Sequence, residues 1–420
     1  MNCSSVNKPR SLIRRTFKVF AALVMLGVLA VAALLGSLWL ELGTEITLPP
    51  PTGPSEVGRA IYDWTDDQAL DTLAPVPGTK RELLVWIWYP TTPGESSAVV
   101  DDYVPAAVAA AVQRIRTGIF GFLTKDVTKV HAHSLRKARV STQQQLYPVL
   151  ILRGGASSEV WNYSTLAEDL ASHGYVVVGL DAPYRTGVVV FPDGRVLRRT
   201  SENNPELCEG KTGQELDHCL NRILSAWIAD MAFVLDRLQQ LTTSDPSGKF
   251  TGRLDMTRVG VFGHSFGGTQ AAQFCSQDSR CKAGVDVDGF LHGSVMQTGI
   301  HRPFMFLLSG QGDFSSSDAE VRQFWADIQS VYSRLPTDER LLITIRGANH
   351  FLYSDDGALL KSHILMRTLR ALGIIHIDGR HQLAVTAYCL RSFFDRHLRG
   401  LGVGPPKIAS PLYPEIKVLE

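Results

Sequence analysis

The sequence predicts an α/β fold, with a mostly parallel central sheet and helices on both faces. Three observations carry that expectation. Short apolar runs bounded by glycine, proline or aspartate recur along the 420 residues. Those runs are continuously apolar, which suits strands covered on both faces. Between them lie helical stretches, the clearest being Leu216, Leu220, Ile223, Trp227, Met231, Val234 and Leu238 at steps of three and four.

The first segment stands apart. "FKVFAALVMLGVLAVAALLGSLWL" runs from Phe17 to Leu40 and carries no charge from Val19 onward. That length crosses a hydrocarbon core of roughly 30 Å. Lys8, Arg10, Arg14, Arg15 and Lys18 precede it, and Glu41 and Glu45 follow. The positive-inside rule therefore assigns residues 1–16 to the cytoplasm and everything after about residue 41 to the outside. A signal peptide cleaved near Val31-Ala32-Ala33 is the rival reading, with the protein then secreted. Both readings export the folded part. "LPPPTGPSEVG", Leu48 to Gly58, has four prolines and reads as a stiff spacer. The expected division is a cytoplasmic N-terminus 1–16, a transmembrane signal-anchor 17–40, a Pro-rich linker 41–58 and a folded domain 59–420.

The strands expected within that domain are, in order, Glu82–Pro90, Tyr147–Gly155, Tyr175–Asp181, Arg258–Gly263, Cys281–Gly289, Arg302–Gly310 and Arg340–Gly347. A further helical pattern covers Leu383 to Leu398. Residues 101–145 read as a mostly helical insertion, with "PAAVAAAVQRI" and "GIFGFL" as a candidate lid. Residues 185–213 read as an irregular insertion; loops this long are commonly functional.

Composition excludes several classes. Apolar residues make up 45% and charged residues 20%, as in a globular core. A formal net charge of +1 offers no basic excess for nucleic acid. Of six cysteines, Cys208 and Cys219 share one polar stretch, and Cys275 and Cys281 flank one short loop. Outside the cytoplasm such local pairs read as disulfides. Cys3 falls on the cytoplasmic side, and Cys389 reads as a buried thiol. No cysteine or histidine spacing resembles a zinc site, and His131-Ala132-His133 lacks partners for one. No metal or cofactor is expected.

The chemistry concentrates at "VGVFGHSFGGTQ", Val259 to Gln270. Gly263-His264-Ser265-Phe266-Gly267 fits the G-x-S-x-G nucleophile elbow, between an apolar strand and a helix. The serine must sit on a sharp, strained turn, so the positions two residues away shrink to glycine. That context makes the fold an α/β-hydrolase. A serine hydroxyl needs a base. His350, after the last strand in "LLITIRGANHFLYSDD", is in the expected position for it. The base needs a carboxylate, and the residues alone leave Asp286, Asp288 and Asp313 as candidates at two strand ends. The oxyanion hole needs two backbone N–H groups: Phe266, and either Gly155 or Ala156 from "RGGASS".

"GHSFGGTQAAQ", "LAEDLASHGYVVVGLDAPYR", "RCKAGVDVDG" and "TIRGANHFLYSD" resemble the plasma-type platelet-activating factor acetylhydrolases and their bacterial relatives, over roughly Trp86 to Arg396. The resemblance implies a calcium-independent serine esterase with a Ser-Asp-His triad, acting on short or oxidised acyl chains of phospholipids. Ser265 and His350 match its nucleophile and base. "G-V-D-V-D" puts Asp288 in the acid's place, ahead of Asp313 and Asp286. A gapless match over "EVWNYSTLAEDLASHG" favours Ala156 over Gly155. Arg153-Gly154-Gly155 departs from the family's histidine-glycine pair and bears on substrate. Alternatives are a cutinase-like polyester hydrolase or general carboxylesterase, and a non-catalytic membrane-anchored binding module.

Overall fold

A computed structural model describes residues 9–94, 98–115, 126–309, 318–359, 363–373, 375–401, 408 and 410–419. In chain order the elements are α1 (Pro9–Leu42), β1 (Ile46–Thr47), β2 (Glu56–Leu70), β3 (Lys80–Thr91), β4 (Val99–Val100), α2 (Ala106–Ile115), β5 (Val130–His131) and β6 (Leu135–Arg136). Then follow β7 (Tyr147–Arg153), α3 (Ser164–Ser172), β8 (Val176–Asp181), β9 (Val188–Val190), β10 (Val196–Arg198), α4 (Gly213–Thr243), β11 (Leu254–His264) and α5 (Phe266–Gln277). The last third holds β12 (Cys281–Val287), α6 (Val295–Thr298), β13 (Phe304–Ser309), α7 (Ala319–Tyr332), β14 (Arg340–Ile345), α8 (Asp356–Leu359), α9 (His363–Ala371), α10 (Gly379–Arg399) and β15 (Ile416–Leu419).

Eleven strands form one sheet in the order β15-β14-β13-β12-β11-β7-β8-β3-β2-β6-β4. From β8 across to β14 every neighbour is parallel. Their carboxyl ends therefore share one edge, where loops gather above helix N-termini. Strand alternation divides the core. Leu150 and Leu152 of β7 face one way, with Leu166, Leu170 and Phe394 of α3 and α10. Val149 and Ile151 face the other, with Met231, Leu235 and Ile328 of α4 and α7. This is the α/β-hydrolase arrangement that the apolar runs predict.

Three expectations change. β3, read as one of the parallel strands, is antiparallel to both β8 and β2. β2 escapes sequence reading because "EVGRAIYDWTDDQAL" mixes charge into a strand with one partly wet face. Among its described residues, the 101–145 insertion carries one ten-residue helix, α2, and then short strands, so it is not mostly helical. Residues 119–123 of the candidate lid lie outside the described residues. The proline-rich stretch is docked, not free-standing. β1 pairs in parallel with β5, and Ile46 and Leu48 are buried. Thr52 donates its N–H and hydroxyl to Asp169, and Gly53 donates its N–H to the Ser172 hydroxyl. An extended proline-rich backbone leaves its polar groups unpaired within itself, and here α3 supplies their partners.

The disulfides Cys208–Cys219 and Cys275–Cys281 are both present. Cys389 is a buried free thiol, and Cys3 lies outside the described residues. His131 bonds Glu45, and His133 Nε2 lies 3.1 Å from the Leu48 carbonyl, so this pair fastens the incoming chain.

Candidate active site

Ser265 is the hinge between β11 and α5. Its backbone sits at φ 56°, ψ −125°, a costly conformation for a residue with a side chain. Two features impose it. Its N–H donates to the Val287 carbonyl at 2.9 Å, and the flanking segments close tightly around it. A Cβ on Gly263 would stand 2.2 Å from the Gly267 carbonyl oxygen, and one on Gly267 would stand 2.4 Å from the Arg153 carbonyl oxygen. The elbow thus requires glycine at both positions, and the serine hydroxyl is raised over the carboxyl edge of the sheet.

His350 arrives from the far side. His350 begins a short 3-10 turn after β14, and Asn349 caps that turn by accepting from the Phe351 N–H at 3.0 Å. Gln382 of α10 clamps the same loop twice, accepting from Asn349 N–H and donating to its carbonyl, both at 2.9 Å. His350 Nε2 lies 3.1 Å from Ser265 Oγ, and its Nδ1 lies 2.8 Å from Asp288 Oδ2. A carboxylate only accepts, so Nδ1 carries the proton and Nε2 offers its lone pair to the serine.

Asp288 is held as firmly. Its N–H donates to the Leu307 carbonyl at 2.9 Å, and its Oδ1 accepts from Ser309 N–H at 2.7 Å. Burial pushes its pKa up, but the bonds from His350 and Ser309 outweigh burial and leave it below the usual range. Asp286 lies on the same strand end yet points into the protein. Its Oδ1 accepts from Gly289 N–H at 2.8 Å, and its Oδ2 has no partner among the described residues. Burial, aided by the Asp288 charge, drives its pKa well above the ordinary value. Asp313 lies outside the described residues.

His264 is turned away from the serine and buried. Its Nδ1 lies 2.9 Å from the Tyr163 hydroxyl. Burial, reinforced by His350, lowers its pKa to about 3, so it stays neutral beside His350. The same Tyr163 hydroxyl accepts from Gly155 N–H at 3.0 Å. That bond occupies one of the two oxyanion-loop amides considered from sequence. Ala156 N–H meets no acceptor among the described residues. Phe266 N–H opens α5, where no preceding turn supplies an acceptor.

Arg153, the departure in the oxyanion loop, points inward. Its Nε donates to Gln270 at 2.7 Å, and its Nη1 donates to the Leu180 carbonyl at 2.7 Å. Gln270 in turn donates to the Phe266 carbonyl at 3.1 Å. The pair ties the end of β7 to the start of α5. Sequence reasoning missed Tyr163, Gln270 and Gln382; the only signal was polar side chains inside otherwise apolar patterns. Around Phe266 lies an apolar wall of Trp227, Leu220, Ile223 and the Cys208–Cys219 bridge. Among the described residues, no cluster of histidine, cysteine and carboxylate side chains has metal-site geometry.

Residues 210–400 match the family described as platelet-activating factor acetylhydrolase, isoform II. A probable 1-alkyl-2-acetylglycerophosphocholine esterase of Arthroderma benhamiae is 24% identical over 90% of this chain and 95% of its own. The platelet-activating factor acetylhydrolase of Canis lupus familiaris is 24% identical over 50% of this chain and 48% of its own. The solved ferulic acid esterase of Streptomyces cinnamoneus superposes with a TM-score of 0.70 at 25% identity, over 90% of this chain and 100% of that one. Fold, elbow and relatives define an α/β-hydrolase that cleaves carboxylic esters. Within that class, these matches support the platelet-activating factor acetylhydrolase family.

Proposed function

We propose that Ser265, His350 and Asp288 are the catalytic triad of this esterase. The observation that carries the reading is the aligned pair of contacts, 3.1 Å from Ser265 Oγ to His350 Nε2 and 2.8 Å from His350 Nδ1 to Asp288 Oδ2. Ser265 attacks the ester carbonyl while His350 takes its proton. Asp288 holds the imidazole and stabilises the imidazolium. Ala156 and Phe266 N–H groups receive the developing oxyanion. His350 then protonates the leaving alcohol, and water, activated by the same histidine, releases the acyl-enzyme. The substrate class is a short or oxidised acyl ester of a glycerophospholipid, by analogy with the fungal and mammalian relatives. A general carboxylesterase is the second reading, favoured by the full-length superposition on a ferulic acid esterase.

α1 anchors the chain, with the hydrolase domain 59–420 outside the cytoplasm and residues 46–58 docked onto it. Length and composition support this, since Arg14–Glu41 is long and apolar enough to span a bilayer. The two disulfides support an oxidising compartment. The experiment is fluorophosphonate labelling of the full chain and of Ser265→Ala, then an acyl panel of p-nitrophenyl, feruloyl and phospholipid esters. Labelling that survives Ser265→Ala overturns the triad. Preference for feruloyl over acetyl phospholipid esters selects the second reading.

A further inference from the structure

We infer that the catalytic edge of the sheet faces the bilayer, so that the enzyme takes ester substrate from the membrane that holds it. This rests on α1 remaining as an anchor. The connection between anchor and domain is short. Only residues 43–45 separate α1 from β1, and five peptide units span at most about 18 Å from Leu42 to Thr47. Thr47 is fixed to the domain, because its carbonyl accepts from Arg380 at 2.5 Å.

Arg380 opens α10, and that end of α10 belongs to the catalytic edge. Two residues further on, Gln382 makes the paired bonds to Asn349, next to His350. The other end of α10 belongs to the opposite edge. There Asp395 accepts from the hydroxyl of Tyr175, just before β8, at 2.7 Å, and Arg399 donates to the His173 carbonyl at 3.0 Å. The two ends of this 21-residue helix are about 30 Å apart. A connection of about 18 Å cannot reach a bilayer on the far edge. It reaches one on the edge that carries the serine.

Exposed apolar side chains fall where this orientation needs them. Outside α1, the two most exposed large apolar residues described are Leu412 at 77% and Phe351 at 75%. Phe351 stands edge-on to His350, with ring centroids 5.5 Å apart. Leu412 adjoins Tyr413, whose ring lies 5.8 Å from His381 at the start of α10. Both therefore flank the point where the anchor joins, and a lipid surface is the partner that covers them.

The test uses the full chain reconstituted in phosphatidylcholine vesicles. A fluorophore is attached at Leu412→Cys on the catalytic edge, or at Ser279→Cys, which precedes β12 on the opposite edge. Nitroxide-headgroup lipid is the quencher. Quenching at 412 several-fold above that at 279 is the expected result; equal quenching, or stronger quenching at 279, overturns the orientation. Leu412→Asp in the same vesicles should slow hydrolysis of bilayer-embedded ester about threefold or more, with water-soluble ester unaffected. Mass of the mature protein separates the two readings. Loss of α1 ends the anchored form and this inference with it, while leaving the triad to be judged by Ser265 labelling.

Discussion

Two aspartates on one strand end meet opposite fates. Asp288 adopts a positive φ of 55°, which swings its carboxylate out to His350. Asp286, two residues earlier, keeps strand geometry and is buried beneath Gly289. Asp288→Asn should lower kcat by about 10⁴-fold, through loss of the tautomer that the proposed triad needs. Asp286→Asn should leave kcat within about tenfold. Its effect belongs to stability. With a folded pKa raised above its ordinary 3.8, Asp286 must take up a proton on folding at higher pH. Each pH unit between the unfolded and folded values costs the wild type about 1.4 kcal/mol, and the cost vanishes below pH 3.8. Asp286→Asn should therefore be relatively more stable as pH rises from 4 to 7; denaturant unfolding with a pH-independent difference would count against a buried neutral acid. Sequence alone reached Ser265 and His350 through motif and position. Residue physics alone left the aspartates unranked and only the family resemblance put Asp288 first, because what separates it from Asp286 is a backbone angle.

At the level of elements, the elbow was the most legible feature and its bracing the least. Gly263, Gly267 and the strand-turn-helix context are local, so a short stretch displays them. Gly268 is also local, but its reason is not: a Cβ there would lie 1.8 Å from Asp286 Oδ1. Gly268→Ala should cost about 1–3 kcal/mol by overpacking, and combining it with Asp286→Ala should return part of that loss in a double-mutant cycle. The Arg153–Gln270 tie joins residues 117 positions apart, so neither neighbourhood, though each shows an unexpected polar side chain, names the other as its partner. Gln270→Leu should reduce kcat about tenfold or more with KM little changed, since both segments proposed to hold the oxyanion lose their brace. A KM rise at constant kcat would assign the pair to substrate binding instead.

For the molecule as a whole, the strands of the parallel centre were readable, because continuous apolar runs report double burial. The antiparallel flank was not. β2 pairs along its length with β3 yet carries four acidic residues among fifteen, and nothing in its own sequence announces a partner. The docking of residues 46–55 was equally hidden, since a proline-rich string reads as a spacer until its acceptors on α3 are known. The two disulfides close short loops of 11 and 6 residues, each worth about 2–3 kcal/mol. They differ in what they touch. Cys275–Cys281 ties the far end of α5 to β12, and replacing both with serine should lower Tm and leave kcat alone. Cys208–Cys219 belongs to the apolar wall behind Phe266, beside Ala156. Its double serine variant should lose Tm and kcat together. A chain kept reduced lacks that bridge, and with it the firm backing of Phe266 and Ala156. Formation of this bridge would then be the step that completes the wall: the wild type assayed after mild reduction should show the same joint loss, and activity should return on reoxidation.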